Sequence, residues 1–124
     1  MPIIIDTNFV LSCVNQGIDL FGQLHELLAG EKILVPASVI TELSNLGKDK
    51  KLKMSEREAA ELAVQLLDNE KIVILDLKER ADESIVNYAL KNSVVVASLD
   101  NGIRARLPRV RFLTIKARKR VTWA

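Results

Sequence analysis

Four acidic residues, Asp6, Glu42, Asp82 and Asp100, stand far apart in the chain, three of them just past apolar runs or at helix starts. Asp6 closes Ile3-Ile4-Ile5, Asp100 comes shortly after Val94-Val95-Val96-Ala97, and Asp82 sits in the first turn of an expected helix. Glu42 lies one to two turns into another helix. Carboxylates brought together without a cation repel each other, which raises their pKa values or lowers stability. A hard divalent cation removes that conflict, because Mg²⁺ and Mn²⁺ favour oxygen donors. Such an ion also brings bound water as a nucleophile and neutralises charge on a phosphate. Softer chemistry has little to work with: His25 is the only histidine and Cys13 the only cysteine, so zinc and thiol sites are poor candidates.

The elements that must position these acids can be read from periodicity. Ile3-Ile4-Ile5 is too short for a helix and reads as a buried strand. Asp6-Thr7-Asn8 then caps a helix carrying Phe9, Val10, Leu11 and Val14. Asp19 opens a second helix with Leu20, Leu24, Leu27 and Leu28 at helical spacing. Lys32 to Pro36 is the second strand. Ala37 to Leu46 is a helix with Gly47 as its stop, and Ser55 with Glu58 forms a capping box that opens a helix to Asn69 with Ala59, Leu62, Ala63, Leu66 and Leu67 inward. Ile72 to Leu75 is the third strand. Ala81 to Lys91 is a helix with Ile85, Ala89 and Leu90 inside, and Val94 to Ala97 is the fourth strand. Asn101 to Leu107 is a short helix, and Val110 to Ile115 is the fifth strand, followed by a basic tail from about 116. This alternation predicts a three-layer α/β/α sandwich around a mostly parallel five-stranded sheet. In such sheets ligands bind beyond the carboxyl ends of the strands, an edge that all four acids can reach.

At 124 residues the chain fits one domain, 1–124. With aromatics at only 4% of residues, the core must rest on Ile, Leu, Val and Ala. A lone cysteine permits no internal disulfide and suits a reducing, cytoplasmic setting. No apolar run approaches the roughly 20 residues of a membrane span, and the first residues do not read as a signal peptide. The net charge of +2 conceals an asymmetry. Residues 101–124 carry eight basic side chains, Arg104, Arg106, Arg109, Arg111, Lys116, Arg118, Lys119 and Arg120, and no acid. An acidic body with a basic tail points to a polyanionic partner, RNA or another nucleic acid.

Four segments together are similar to one known family. They are Asp6-Thr7-Asn8 after Ile3-Ile4-Ile5; Val35-Pro36-Ala37-Ser38-Val39-Ile40-Thr41-Glu42-Leu43; Ala81-Asp82-Glu83-Ser84-Ile85; and Val95-Val96-Ala97-Ser98-Leu99-Asp100. In this order, across essentially the whole chain, they resemble the PIN domain family. The resemblance implies a Rossmann-like fold and a metal-dependent nuclease acting on RNA. It maps Asp6, Glu42, Asp82 and Asp100 onto the acidic site, with Asp6, Asp82 and Asp100 as ligands of Mg²⁺ or Mn²⁺ and Glu42 as ligand or water-positioning base. Ser98 matches a position where the family often carries Ser or Thr. Ser98, Arg104, Arg106, Lys116, Arg118, Lys119 and Arg120 are the expected substrate contacts. Asp100-Asn101-Gly102-Ile103-Arg104 looks like a segment of relatives linked to ribosomal RNA processing, while the chain length is similar to that of toxins from toxin–antitoxin pairs. An antitoxin, a ribosome-assembly partner and a homodimer all follow as expectations.

Each acid also has a purely local reading. Asp6 and Asp100 can serve as helix caps, Asp82 can complement a helix dipole, and Glu42 can be an ordinary surface residue. Two rival functions exist. In a receiver domain, Asp76 after strand three would be the phosphoacceptor and Lys116 its partner after strand five. In a non-catalytic RNA-binding scaffold, the basic tail alone would carry the function.

Overall fold

Short β-branched runs form the strands and amphipathic runs the helices in the computed structural model, which describes every residue except Arg118. In chain order these are β1 (Ile3–Ile5), α1 (Thr7–Gln16), α2 (Leu20–Leu27), β2 (Ile33–Pro36), α3 (Ala37–Lys48) and α4 (Met54–Asp68). They continue with β3 (Val73–Leu75), α5 (Ala81–Lys91), β4 (Val95–Ala97), α6 (Asn101–Arg106), β5 (Phe112–Lys116) and β6 (Arg120–Trp123).

Strand alternation divides the interior into two layers. Ile3, Ile5, Ile33, Val35, Val95 and Ala97 face one core, which is closed by Phe9, Val10, Leu20, Leu24, Val39, Leu43 and Leu67 from α1 to α4. Ile4, Leu34 and Val96 face the other, which is closed by Ile85, Val86 and Ala89 of α5 and Ile103 of α6. The expected three-layer sandwich is therefore present, with helices burying both faces of the sheet.

The sheet has six strands, not five, in the order β3-β2-β1-β4-β5-β6. The first five are parallel, and β6 runs antiparallel to β5 with Leu113 opposite Trp123 and Lys116 opposite Arg120. The basic tail is thus the second arm of a hairpin. Its four residues, Arg-Val-Thr-Trp, alternate too briefly to announce a strand, and their pairing with β5 supplies the missing stabilisation. Val121 lies in the core, and Gln23 of α2 clamps the turn by accepting from the Val121 N–H (2.6 Å) and donating to the Lys119 carbonyl (3.3 Å).

Several helix details differ from expectation. Helix α3 runs through Gly47 to Lys48. Gly47 serves close packing instead of termination, since a Cβ there would stand 3.0 Å from Glu61 Cγ of α4. Helix α4 starts at Met54 without a side-chain cap, so Ser55 and Glu58 form no capping box. Its buried stripe is Ala60, Ala63 and Leu67, and Leu62 is exposed. Leu90 is likewise exposed, about a quarter turn from the buried Ala81, Ile85 and Ala89 row of α5. Strand β3 lies at the sheet edge, which leaves Val73 and Ile74 exposed.

Cys13 is fully buried in the larger core, and burial pushes its thiol up to about 12. The thiolate is the reactive form. The folded protein should therefore resist iodoacetamide at neutral pH and be alkylated only once denatured, as mass spectrometry with and without denaturant would show. Rapid labelling of the folded chain would contradict this packing.

Candidate active site

The sheet grows from β1 through β2 to β3, then restarts on the other side of β1 with β4. That reversal opens a crevice beyond the carboxyl ends of β1 and β4, the usual ligand position in such folds. Asp6 immediately follows β1, and its N–H donates to Ala97 O of β4 at 3.0 Å. Asp100 lies three residues beyond β4. A cleft of about 410 Å³ sits there, and Asp6, Glu42, Asp82 and Asp100 all line it. The four acids that the sequence singled out come together at one edge.

Their local roles are also real. Asp6 caps α1, with Oδ1 accepting from Thr7 N at 2.9 Å. Its Oδ2 accepts from Ser98 Oγ at 3.0 Å. Thr7 ties two of the acids together, because its hydroxyl donates to Glu42 Oε2 at 2.7 Å. Asp100 caps α6 with Oδ1, which accepts from Gly102 N at 2.7 Å and Ile103 N at 3.2 Å. A Cβ on Gly102 would stand 3.0 Å from that oxygen, so glycine permits the short contact. Asp82 Oδ1 accepts from Glu83 N at 2.9 Å and lies 3.6 Å from Arg80 Nε.

Asp6 is buried, and burial raises its pKa above the ordinary carboxylate value; hydrogen bonds from Ser98 and Thr7 oppose the rise, while the charges of Asp100 and Glu42 add to it. An anion held against desolvation and like charge favours a positive ligand nearby. All four groups are hard oxygen donors, which suits Mg²⁺ or Mn²⁺. As the side chains stand, no three Asp, Glu, His or Cys groups among the described residues are gathered closely enough to hold one ion. The donor chemistry fits a hard divalent ion.

Three further residues line the cleft that the sequence reading did not single out: Asn45, Asp49 and Arg80. Asn45 follows Glu42 by three positions on α3, so helical spacing was a usable signal for it, whereas Asp49 lies just past the end of that helix. Arg80 is the one basic side chain among the cleft-lining residues.

The expected substrate contacts divide. Ser98 is buried and holds Asp6, so it supports the carboxylate from behind. Arg106 is engaged by Glu83 in a two-pronged ion pair (2.6 and 3.2 Å), because α6 and α5 lie side by side. Lys116, Lys119 and Arg120 sit on the β5–β6 hairpin beyond the same sheet edge, and Arg104 lies on α6; none of these lines the cleft. Arg118 lies outside the described residues.

The model of a family described as a PIN like domain matches residues 3–120. The chain belongs to the PIN-like domain family. This PIN-like domain is 32% identical over 107 residues to Ribonuclease VapC4 of Methanocaldococcus jannaschii, covering 85% of this chain and 81% of that protein. Among solved structures, it is similar to the PIN domain endonuclease Utp24, with a TM-score of 0.78, 27% identity, and 98% of this chain and 91% of that one covered. VapBC2 from Rickettsia felis, solved bound to a DNA fragment from its promoter, shares the fold, with a TM-score of 0.63, 18% identity, and 94% and 100% covered.

The receiver alternative does not survive the sheet order. Asp76 follows β3 and Lys116 ends β5, four strands apart. At about 4.8 Å per strand they are separated by nearly ~20 Å, and Asp76 does not line the acidic cleft.

Proposed function

We propose that this PIN-like domain is a metal-dependent endoribonuclease. The observation that carries the reading is the convergence of Asp6, Glu42, Asp82 and Asp100, from four separate segments, in one cleft at the switch point of the sheet. Relatives named as a ribonuclease and as an endonuclease support nuclease chemistry.

Asp6, Asp82 and Asp100 would hold Mg²⁺ or Mn²⁺. When bound, the ion supplies an activated water and neutralises charge on the phosphate. The chain's own residues do the rest. Ser98 and Thr7 fix the Asp6 carboxylate. Thr7 aims Glu42, which orients the attacking water and accepts its proton at the free Oε1. Arg80 neutralises a phosphate oxygen at the cleft. Lys116, Lys119 and Arg120, with Arg118, would steer the RNA backbone. An antitoxin or ribosome-assembly partner, a homodimer and a cytoplasmic setting belong to the same proposal. No helix among the described residues is long and apolar enough to cross a membrane.

The test is incubation of single-stranded and structured RNAs with the purified protein. Internal cleavage should require added Mg²⁺ or Mn²⁺, stop with EDTA, and resume when metal is restored. Cleavage indifferent to chelation would reject the metal site. Binding of RNA without cleavage of any RNA offered would favour the scaffold reading.

A further inference from the structure

Across the sheet from the acidic cleft, at the amino-terminal ends of β4 and β5, two shallow grooves adjoin. One, of about 230 Å³, is lined by Arg104, Val110, Arg111, Phe112, Trp123 and Ala124. The other, of about 340 Å³, includes Lys91, Arg109, Val110 and Arg111. They share Val110 and Arg111, and no acidic side chain lines either. Among the described residues, none of Lys91, Arg104, Arg109 and Arg111 takes part in an ion pair. Arg106, on the same helix as Arg104, does. Cations grouped without counter-charge repel each other, and a polyanion relieves that repulsion.

An aromatic residue stands among them. The Arg111 guanidinium lies 3.9 Å from the centroid of the Trp123 ring. Trp123 is opposite Leu113 in the β5–β6 ladder, and the next N–H, that of Ala124, donates to Phe112 O at 2.9 Å. The indole is therefore held by sheet pairing, half-buried, beside unpaired cations. Such a surface suits single-stranded nucleic acid, with phosphates on Lys91, Arg104 and Arg109 and a base stacked on the exposed Arg111 guanidinium plane that the Trp123 ring backs.

We propose that this edge is a second RNA-binding surface, an exosite that holds the single-stranded flank of an RNA whose scissile part lies in the acidic cleft. The proposal rests on the nuclease reading for its choice of RNA. It also explains how a cleft rich in carboxylates draws a polyanion, since the attraction comes from elsewhere on the domain. Trp123 is in register with Leu113, Ala97 and Ile5, so it lies across the sheet from Asp6, three strand spacings of about 4.8 Å or roughly 14 Å away. A stacked oligonucleotide of about four nucleotides, with a rise of about 3.4 Å per nucleotide and at the small end of single-strand site sizes, is too short to span both sites.

The experiment compares the wild type with Arg109→Ala/Arg111→Ala, which changes exposed side chains only, and with Trp123→Ala. Affinity is measured in the cleavage-deficient Asp6→Asn background on single-stranded RNAs of about four and about 20 nucleotides, across a salt series. The double variant should bind the long RNA at least about tenfold more weakly, with a shallower salt slope by one to two contacts' worth. It should also raise KM on the long RNA, leave kcat unchanged, and cleave the short RNA as wild type does. Trp123→Ala should weaken long-RNA binding with little change in salt slope. Unchanged long-RNA affinity and salt slope in the double variant overturn the exosite while cleavage of the short RNA upholds the nuclease reading. Wild type that binds no RNA overturns both. A changed oligomeric state with unchanged RNA affinity also overturns the exosite, because this edge would then be a protein interface.

Discussion

Asp6→Asn is expected to lower RNA cleavage by more than about 100-fold, beyond the 10–100-fold typical of residues that only support a metal ligand. The same change should leave the fold intact and, in EDTA at neutral pH, raise its melting temperature. Asparagine keeps the shape of the carboxylate, so Oδ1 still accepts from Thr7 N. At the other position an N–H replaces Oδ2, and Ser98 Oγ, now the donor, becomes the acceptor. What disappears is a buried charge facing Asp100 and Glu42. Because the folded-state pKa of Asp6 is raised, the stability linked to this group is fully present below its unfolded pKa of about 3.9. It is lost as pH rises through the higher folded value. Metal-free wild type should therefore lose stability across that window, and the variant should not. Thermal melts in EDTA between acid and neutral pH, paired with a cleavage assay, check both halves. Cleavage retained in Asp6→Asn would remove this residue from the site.

Ser98→Ala should reduce cleavage about 10- to 100-fold and raise the Mn²⁺ concentration needed for half-maximal activity. The Ser98 hydroxyl is the link between two acids: it donates to Asp6 Oδ2 at 3.0 Å and accepts from the Asp100 N–H at 3.1 Å. Alanine leaves a buried carboxylate oxygen and a backbone N–H without their partner, at a stability cost of about 1–3 kcal/mol. Ser98→Thr retains the hydroxyl and should recover most of the metal affinity. That rescue separates positioning from packing. If the alanine and threonine variants prove equally impaired, the hydroxyl does not orient Asp6.

What was legible in the sequence was local. The run Ile3-Ile4-Ile5, the caps Asp6 and Asp100, and the amphipathic spacing of α1, α3 and α5 are decided within one or two turns of chain. Backbone hydrogen bonding and burial are satisfied there by near neighbours. The four acids could be placed at strand and helix ends for that reason, and the order of segments led to the PIN resemblance and to a family the comparisons bear out. What tertiary structure alone decided was partnership between distant elements. Strand order separates Asp76 from Lys116 and joins Asp6 to Asp100. Pairing with β5 makes a strand of Arg120–Trp123 and brings Trp123 beneath Arg111. The packing of α5 against α6 gives Arg106 to Glu83 while Arg104 stays unpaired. A side chain's charge is written in its residue type, but its counter-charge is chosen by which surfaces the cores bring together, and those contacts span nearly the whole chain.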